Sequence, residues 1–372
     1  MLERFYTDAH AGDWPVRLGL SWWPVTVQPR AARRVLGRHL PKEITSRTKS
    51  VPFAAVRHFV TGVGCEPGLR KRVLRDGFGE ANALYTLSNG DIEVVRAARH
   101  AGLFVVHEQI LNPDVGRILR EERERFPGIE RQNSLEKVIA DEQCDIDQWR
   151  EAQLLLAPSE FVRASMVRMG ADQGKIAVVE YGLSEEWLRT VTDPIPGRVL
   201  FVGSVGLRKG NHYLAQAKRI LDRRHVEAEI RIIGPADPSI LRCREFQGPT
   251  YCGQVPRPLM SEEYRRADVF VLPSLSEGCA LVHLEALACG IPTITTPNCG
   301  SVVRDCVDGF IVPIRDPEAL AEKIQTVVEN RELRERMSRQ ARERAREFTW
   351  ARYGERLLHA VSAAATTTTA CP

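Results

Sequence analysis

Two carboxylates, Glu277 and Glu285, stand eight positions apart in the stretch VFVLPSLSEGCALVHLEALACGIPTI, which runs from Val269 to Ile294. Eight residues of helix rise about 12 Å, an upper limit here because Glu277 precedes the helical pattern. That span suits two parts of one long ligand, a sugar at one carboxylate and a ribose at the other. Between them, the backbone N–H groups of Gly278, Cys279, Ala280 and Leu281 are the free donors of a helix N-terminus, a site suited to an anion such as a diphosphate. The bland alternative is a solvated loop residue and a helix-surface residue with no shared role.

The elements that must position these groups are legible around them. Val269 to Leu272 has the length of a buried parallel strand and stops at Pro273, after which Ser274 to Gly278 is a polar loop. From Ala280 the apolar residues change to helical spacing, and Gly290 and Pro292 end the helix before a strand at Thr293 to Thr295. In open parallel sheets ligands bind beyond the carboxyl ends of strands, which places Glu277 on the binding side. A second such place lies upstream. Ala83 to Leu87 reads as a strand, Ser88 or Asn89 as the cap of a helix through Ala101, and Leu103 to His107 as another strand. His107 and Glu108 sit at the end of that strand. A lone histidine there is most often a satisfied structural residue.

After a linker marked by Asp193, Pro194, Pro196 and Gly197 the apolar pattern restarts. Arg198 to Val202 is a strand, Gly203 to Gly210 a loop reading GSVGLRKG, and Asn211 to Arg224 a helix. Glu229 to Ile233 is a buried strand ending at Gly234-Pro235, followed by the Tyr251 to Val255 turn, a short helix at Leu259 to Arg266, and helices from Pro317 to Glu347.

The pattern PSLSEGCALVHLEALACGIPTI resembles the E-x(7)-E signature of the retaining glycosyltransferases of family 4, which have the GT-B fold. The resemblance covers roughly residues 83 to 360 and is strongest from 198 to 350. It implies that Glu277 faces the donor sugar near its anomeric carbon, that Glu285 accepts hydrogen bonds from the nucleotide ribose, and that Gly278 to Leu281 lie against sugar and phosphate. In the family, the loop matching GSVGLRKG carries an Arg and a Lys that neutralise the donor diphosphate. Lys209 matches the Lys, Ser204 stands where the Arg would be, and Arg208 beside Lys209 is the substitute. Such cations suit a diphosphate leaving group, whose charge grows in the transition state; adjacent Arg and Lys at a helix start are otherwise often just exposed. The turn Tyr251 to Val255 resembles the family's G-x-V turn, which touches the nucleobase through its backbone, and the resemblance implies that Gly234 and Val255 lie on the donor side. The family also places a His or acidic group facing the sugar near the position of His107. The block AQLLLAPSEFVRASMVRMGADQGKIAVVEYGL closes the first domain and ends in a Tyr181-Gly182 turn, while Ala280 replaces the second glycine of the family's G-F-G.

Composition narrows the alternatives. With 372 residues, 43% of them apolar, the chain is long enough for two domains with full cores. No run approaches the length of a membrane helix and MLERFYTDAHAGDW carries no apolar leader segment, so a cytoplasmic protein is expected. Nine cysteines occur without a C-x-x-C pair, and Cys279, Cys289, Cys299 and Cys306 fall where a close-packed core is expected, which favours reduced thiols over disulfides or a metal site. Asp145-Ile146-Asp147 has the D-x-D spacing by which a different glycosyltransferase fold holds a metal, but it lacks the preceding strand and reads as a solvated helix start. Charged helices are expected at Asp114 to Arg125 and Glu130 to Glu142. The glycine loops are not G-x-G-x-x-G and no acidic residue lies about twenty positions beyond one, which makes a nicotinamide dehydrogenase a poor reading. Net charge is +4 overall, yet residues 1–100 carry a local +7. Strands are expected at Leu18 to Trp22 and Phe53 to Val60 with a basic amphipathic helix at Arg30 to Leu40 between them, and the basic excess suits either solvated surface or contact with an anionic membrane or an acidic acceptor.

These readings give an α/β chain with two facing Rossmann-like domains and a C-terminal helix crossing back to the first. An N-terminal acceptor-side domain, either shortened at its start or with its acceptor cleft built differently from the family's, is expected over 1–192, a nucleotide-sugar donor domain over 193–349, and the crossing helix and a disordered tail from Ala363 over 350–372. The expected activity is retaining transfer of a hexose from a nucleotide-diphosphate sugar to a glycan or lipid-linked acceptor, as in polysaccharide or glycolipid assembly. Glu277, His107 and Lys209 are the expected catalytic residues, with no metal, no cofactor and no nucleic acid. The alternative, prompted by Ser204 and the unusual N-terminus, is a nucleotide-sugar-binding protein without transferase activity.

Overall fold

A computed structural model describes residues 5–7, 48–50, 66–88 and 90–369 of the chain. The expected elements at Leu18 to Trp22, Arg30 to Leu40 and Phe53 to Val60 lie outside the described residues. The chain divides into two compact units, residues 1–106 and 107–372. In the first, β1 (Phe5–Thr7) pairs in parallel with β2 (Thr48–Ser50). Helix α1 (Glu66–Asp76), strand β3 (Ala83–Leu87) and helix α2 (Ile92–His100) follow. The cap of α2 is Asp91, whose carboxylate accepts from the backbone N–H of Glu93 and Val94, and not Ser88 or Asn89 as the sequence suggested. A carboxylate at this position also complements the helix dipole.

Strand β4 (Phe104–Glu108) carries the chain into the second unit. There come α3 (Val115–Arg125), α4 (Leu135–Glu151), β5 (Leu154–Ala157), α5 (Glu160–Arg168) and β6 (Ile176–Val178). Strands β3 to β6 form a four-stranded sheet in sequence order, with β5 and β6 parallel. Helix α4 starts only at Leu135, behind the cap Ser134, and runs to Glu151. Asp145 therefore lies inside a helix, half-buried, and is not the solvated helix start expected.

The remaining strands, β7 (Arg198–Val202), β8 (Glu229–Ile233), β9 (Thr250–Gly253), β10 (Val269–Leu272), β11 (Thr293–Thr295) and β12 (Gly309–Ile311), form one parallel sheet. Its strand order is β12-β11-β10-β7-β8-β9. The strands are short apolar runs because both faces are covered. Between them run α6 (Asn211–Arg223), α7 (Met260–Arg265) and α8 (Leu281–Ala288), and after β12 come α9 (Pro317–Glu329) and α10 (Arg331–Ala345). Leu214, Ala217 and Leu221 of α6 join Leu320, Ile324 and Val327 of α9 in one core with Phe201, Ile232 and Val271. From β7 the chain builds the sheet outward through β8 and β9, then returns to β7's other side with β10 and builds the opposite way. The reversal leaves a crevice at the carboxyl ends of β7 and β10, the place where open parallel sheets bind ligands.

The last helix, α11 (Trp350–Thr369), packs on the turn after β6. Leu183 bridges Thr349, and the Arg356 guanidinium donates to the Glu180 carbonyl (2.7 Å). The sequence suggested disorder from Ala363, but the backbone continues as helix to Thr369, since alanine favours helix and threonine tolerates it. Among the described residues no helix is long and apolar enough to cross a membrane. Their seven cysteines are free thiols, and Cys306 is exposed where a core thiol was expected.

Candidate active site

The loops that leave β7 and β10 are GSVGLRKG and PSLSEG, so the strand-order reversal brings Arg208 and Lys209 to Glu277. Arg208 Nη1 lies 2.8 Å from one Glu277 carboxylate oxygen and Lys209 Nζ 2.7 Å from the other. The carboxylate is nearly closed to water, at 7% exposure for the residue. Low exposure strengthens both pairings relative to surface ion pairs. Arg208 Nη1 also donates to the Ser276 carbonyl (3.0 Å), and its own carbonyl accepts from Leu275 N–H (2.8 Å). Gly210 has φ +69°, and a β-carbon there would fall 2.1 Å from the Pro273 carbonyl oxygen, so only glycine lets the two loops meet. Glu277 N–H donates to the Asn298 carbonyl (2.9 Å), which holds the loop from the side of β11.

Gly278 is pressed between three segments. Its carbonyl accepts from the Ser159 hydroxyl (2.7 Å), a β-carbon on Gly300 would fall 2.0 Å from that same oxygen, and a β-carbon on Gly278 itself would fall 1.8 Å from the Ile110 carbonyl oxygen. Two residues away, the Asn112 side chain donates to the Ser276 hydroxyl (3.0 Å). The chain leaving β4 is thus seated directly on the Glu277 loop. Cys279 is half-buried, and burial raises its thiol pKa to about 11, which keeps it an inert neutral group. Ala280 is the buried N-cap residue of α8 and Leu281 its exposed first residue, and no side chain caps the helix. The backbone donors of that turn are therefore not claimed by a capping side chain.

Glu285 lies on α8 and is held separately. The Tyr264 hydroxyl donates to its Oε2 (2.8 Å), and the exposed Arg257 guanidinium lies 3.9 Å from its Oε1. Burial holds the Glu285 carboxyl above its ordinary range, while Tyr264 and Arg257 act the other way. Tyr264 is itself completely buried, edge-on to Trp187 and stacked with Phe270. Gly234 sits at the end of β8 against the Gly203 carbonyl, Val255 is half-buried beside the core, and Ser204 is exposed, so none of these joins the Arg208-Lys209-Glu277 cluster.

His107 and Glu108 are both buried at the end of β4. Glu108 takes the Tyr181 hydroxyl as its hydrogen-bond partner. The His107 ring lies 3.4 Å from Gln109 Oε1 through Nε2, and burial lowers its pKa to about 4, so it is neutral near pH 7. Gln109, Asn112, Ser159, Tyr264 and Arg257 were not singled out by sequence. The run HEQILNP did place two of them beside His107, and polar residues after a buried strand's carboxyl end were the available signal.

Residues 192–344 match the family model described as glycosyl transferases group 1. The D-inositol 3-phosphate glycosyltransferase of Xylanimonas cellulosilytica is 31% identical over 230 residues, which are 53% of this chain and 53% of that protein. That of Geodermatophilus obscurus is 44% identical over 109 residues, 29% of this chain and 24% of the relative. The chain therefore spans about half or less of the length of these curated relatives. Among solved structures, Anabaena HepE in complex with UDP and glucose aligns over 85% of both chains with a TM-score of 0.61 at 15% identity. Sucrose-phosphate synthase from Thermosynechococcus elongatus aligns over 88% of this chain and 81% of its own, with a TM-score of 0.60 at 19% identity. At such identities the structural likeness speaks for the fold.

Proposed function

We propose that this chain, a GT4-like glycosyltransferase on the GT-B fold, moves a hexose from a nucleotide-diphosphate sugar to a hydroxyl of a glycan or lipid-linked acceptor with retention at the anomeric carbon. The observation that carries the reading is the convergence of Arg208 and Lys209 on one buried carboxylate, Glu277, at the strand-order reversal. Two cations and the uncapped turn of α8 suit a diphosphate, and their stabilisation grows as the leaving group gathers charge. Glu277 faces the sugar and stabilises its positive, oxocarbenium-like transition state. The departing phosphate takes the proton of the incoming hydroxyl on the same face, so no protein nucleophile is required. Glu285, fixed by Tyr264, accepts from the ribose hydroxyls. Residues 193–349 are the donor domain in this reading, and residues 1–192 supply the acceptor side.

The position of Arg208 also bears on the missing arginine at Ser204. Its guanidinium already reaches the Glu277 loop from the neighbouring position, which supports transfer over nucleotide-sugar binding alone. A panel of nucleotide sugars, screened first by thermal shift and then for nucleotide release with candidate acceptors, tests this. Binding without release from any donor would select the binding-only reading. Turnover in the presence of a chelator is the expected result, since two cations stand where a metal would otherwise serve. The local +7 of residues 1–100 supports peripheral contact with anionic lipid, checked by sedimentation with anionic vesicles at low and high salt.

A further inference from the structure

The side-chain amide of Gln109 has two donors and two acceptor positions, and all four are used. Oε1 accepts from the Trp149 indole Nε1–H (3.0 Å) and lies 3.4 Å from His107 Nε2. Nε2 donates to the Leu111 carbonyl (3.1 Å) and to Asp145 Oδ2 (3.2 Å). Indole can only donate, and a backbone carbonyl can only accept. Turning the amide over would set N–H against N–H at Trp149 and carbonyl against carbonyl at Leu111, so its direction is dictated by chemistry. With Oε1 facing it, His107 Nε2 must carry the proton. The other ring nitrogen, Nδ1, is then a bare lone pair, and it is buried without a hydrogen-bond partner. A buried acceptor without a donor calls for a reason.

The position supplies one. His107 lies next to the carboxyl end of β4, the side where ligands bind, and the segment that follows lies on Gly278, beside Glu277. We propose that Gln109 is a positioning residue: it locks His107 as the Nε2–H tautomer, so that Nδ1 accepts a hydrogen bond from a hydroxyl of the transferred sugar. This rests on the transferase reading above for the identity of the ligand, while the tautomer lock stands independently of it. Asp145 and Trp149 act through Gln109, each fixing one end of the amide. The D-x-D aspartate thus has a role in the helix interior that needs no metal. Burial keeps the imidazole neutral, with a pKa of about 4, so the lone pair persists at neutral pH.

Selective 15N-histidine labelling of the full chain, with His107 assigned by its loss in His107→Asn, reads the tautomer directly at neutral pH. The expected spectrum shows an unprotonated Nδ1 and a protonated Nε2, and addition of UDP-glucose or another nucleotide sugar that binds shifts Nδ1. Gln109→Met, which cannot accept in the same way, should give a mixture of tautomers and about a tenfold lower kcat/KM, with affinity for the free nucleotide retained. If that variant does not fold, Gln109→Leu removes the acceptor facing His107 Nε2 with a side chain of similar size and should mix the tautomers likewise. A protonated Nδ1 in the unmodified protein, an unchanged single tautomer in the folded variants, or an Nδ1 indifferent to a bound nucleotide sugar overturns the proposal. Absence of transfer with the expected tautomer in place would instead count against the transferase reading alone.

Discussion

The backbone carbonyl of Ile110 occupies the space where a β-carbon on Gly278 would stand, 1.8 Å from its oxygen. The obstacle is main chain and cannot turn aside as a flexible side chain would. Gly278→Ala should therefore cost about 1–3 kcal/mol of stability and move Glu277, with a loss of turnover larger than the loss of stability explains. Denaturant unfolding alongside initial rates separates the two effects. An alanine variant of unchanged melting and rate would show that the close approach is absent in solution.

Glu277→Gln keeps the shape of the loop and removes the charge between Arg208 and Lys209. Turnover is expected to fall about 100- to 1,000-fold. Nucleotide affinity should survive or rise, because both cations lose a competitor for the diphosphate. Calorimetric titration with UDP, beside a transfer assay, reads each half.

Lys209→Met should act the other way round. Losing a charge-assisted bond to phosphate weakens nucleoside diphosphate binding about tenfold or more, whereas a nucleoside without phosphates should bind both proteins alike. Equal diphosphate affinities would mean that Lys209 serves only to neutralise Glu277.

Tyr264→Phe leaves the ring contacts with Trp187 and Phe270 intact and deletes a buried donor to Glu285. A loss of about 1–3 kcal/mol in unfolding free energy is expected, together with weaker nucleotide binding from a less well fixed carboxylate. Unchanged binding would remove Glu285 from the ribose.

Stability should fall in mild acid through His107. Its pKa drops from 6.5 to about 4 on burial, so the unfolded chain binds the proton more readily than the folded one. Its contribution is present above pH 6.5 and is lost as pH falls toward 4, on the order of 3 kcal/mol in all. Asp145, raised to about 6 by burial, contributes in the opposite sense, fully below 3.8 and lost as pH rises through 6. His107→Asn should flatten the acid limb, measured as urea midpoints from pH 4 to pH 7.

Most strands of the second unit could be read residue for residue, because Arg198–Val202, Glu229–Ile233 and Val269–Leu272 are short apolar runs between turn residues, and a buried parallel strand has little other way to be written. The glutamates and cations were singled out because the stretches around them resemble family motifs; spacing alone would have left them as surface residues. The ion pairing of Arg208 and Lys209 to Glu277 was not legible, since it depends on which strands become neighbours. Asp145 escaped for the same reason: a helix that begins at Leu135 and hides one face against Gln109 looks, in one dimension, like a charged surface segment. The cap of α2 slipped by two or three positions, as three polar residues capable of capping stand together there.

The closure between Leu183 and Thr349 has a bearing on how the chain is made. A ribosome must add more than 160 residues after the turn at Glu180 before Arg356 emerges to take its carbonyl and Thr349 to pair with Leu183. Until then the edge behind β6 waits uncovered while the whole six-stranded sheet is synthesised and can fold on its own local contacts. A stop codon at Trp350 would leave that sheet's strands complete and strip the earlier turn of its cover, so the damage from a late truncation would appear in the middle of the protein and not at its end.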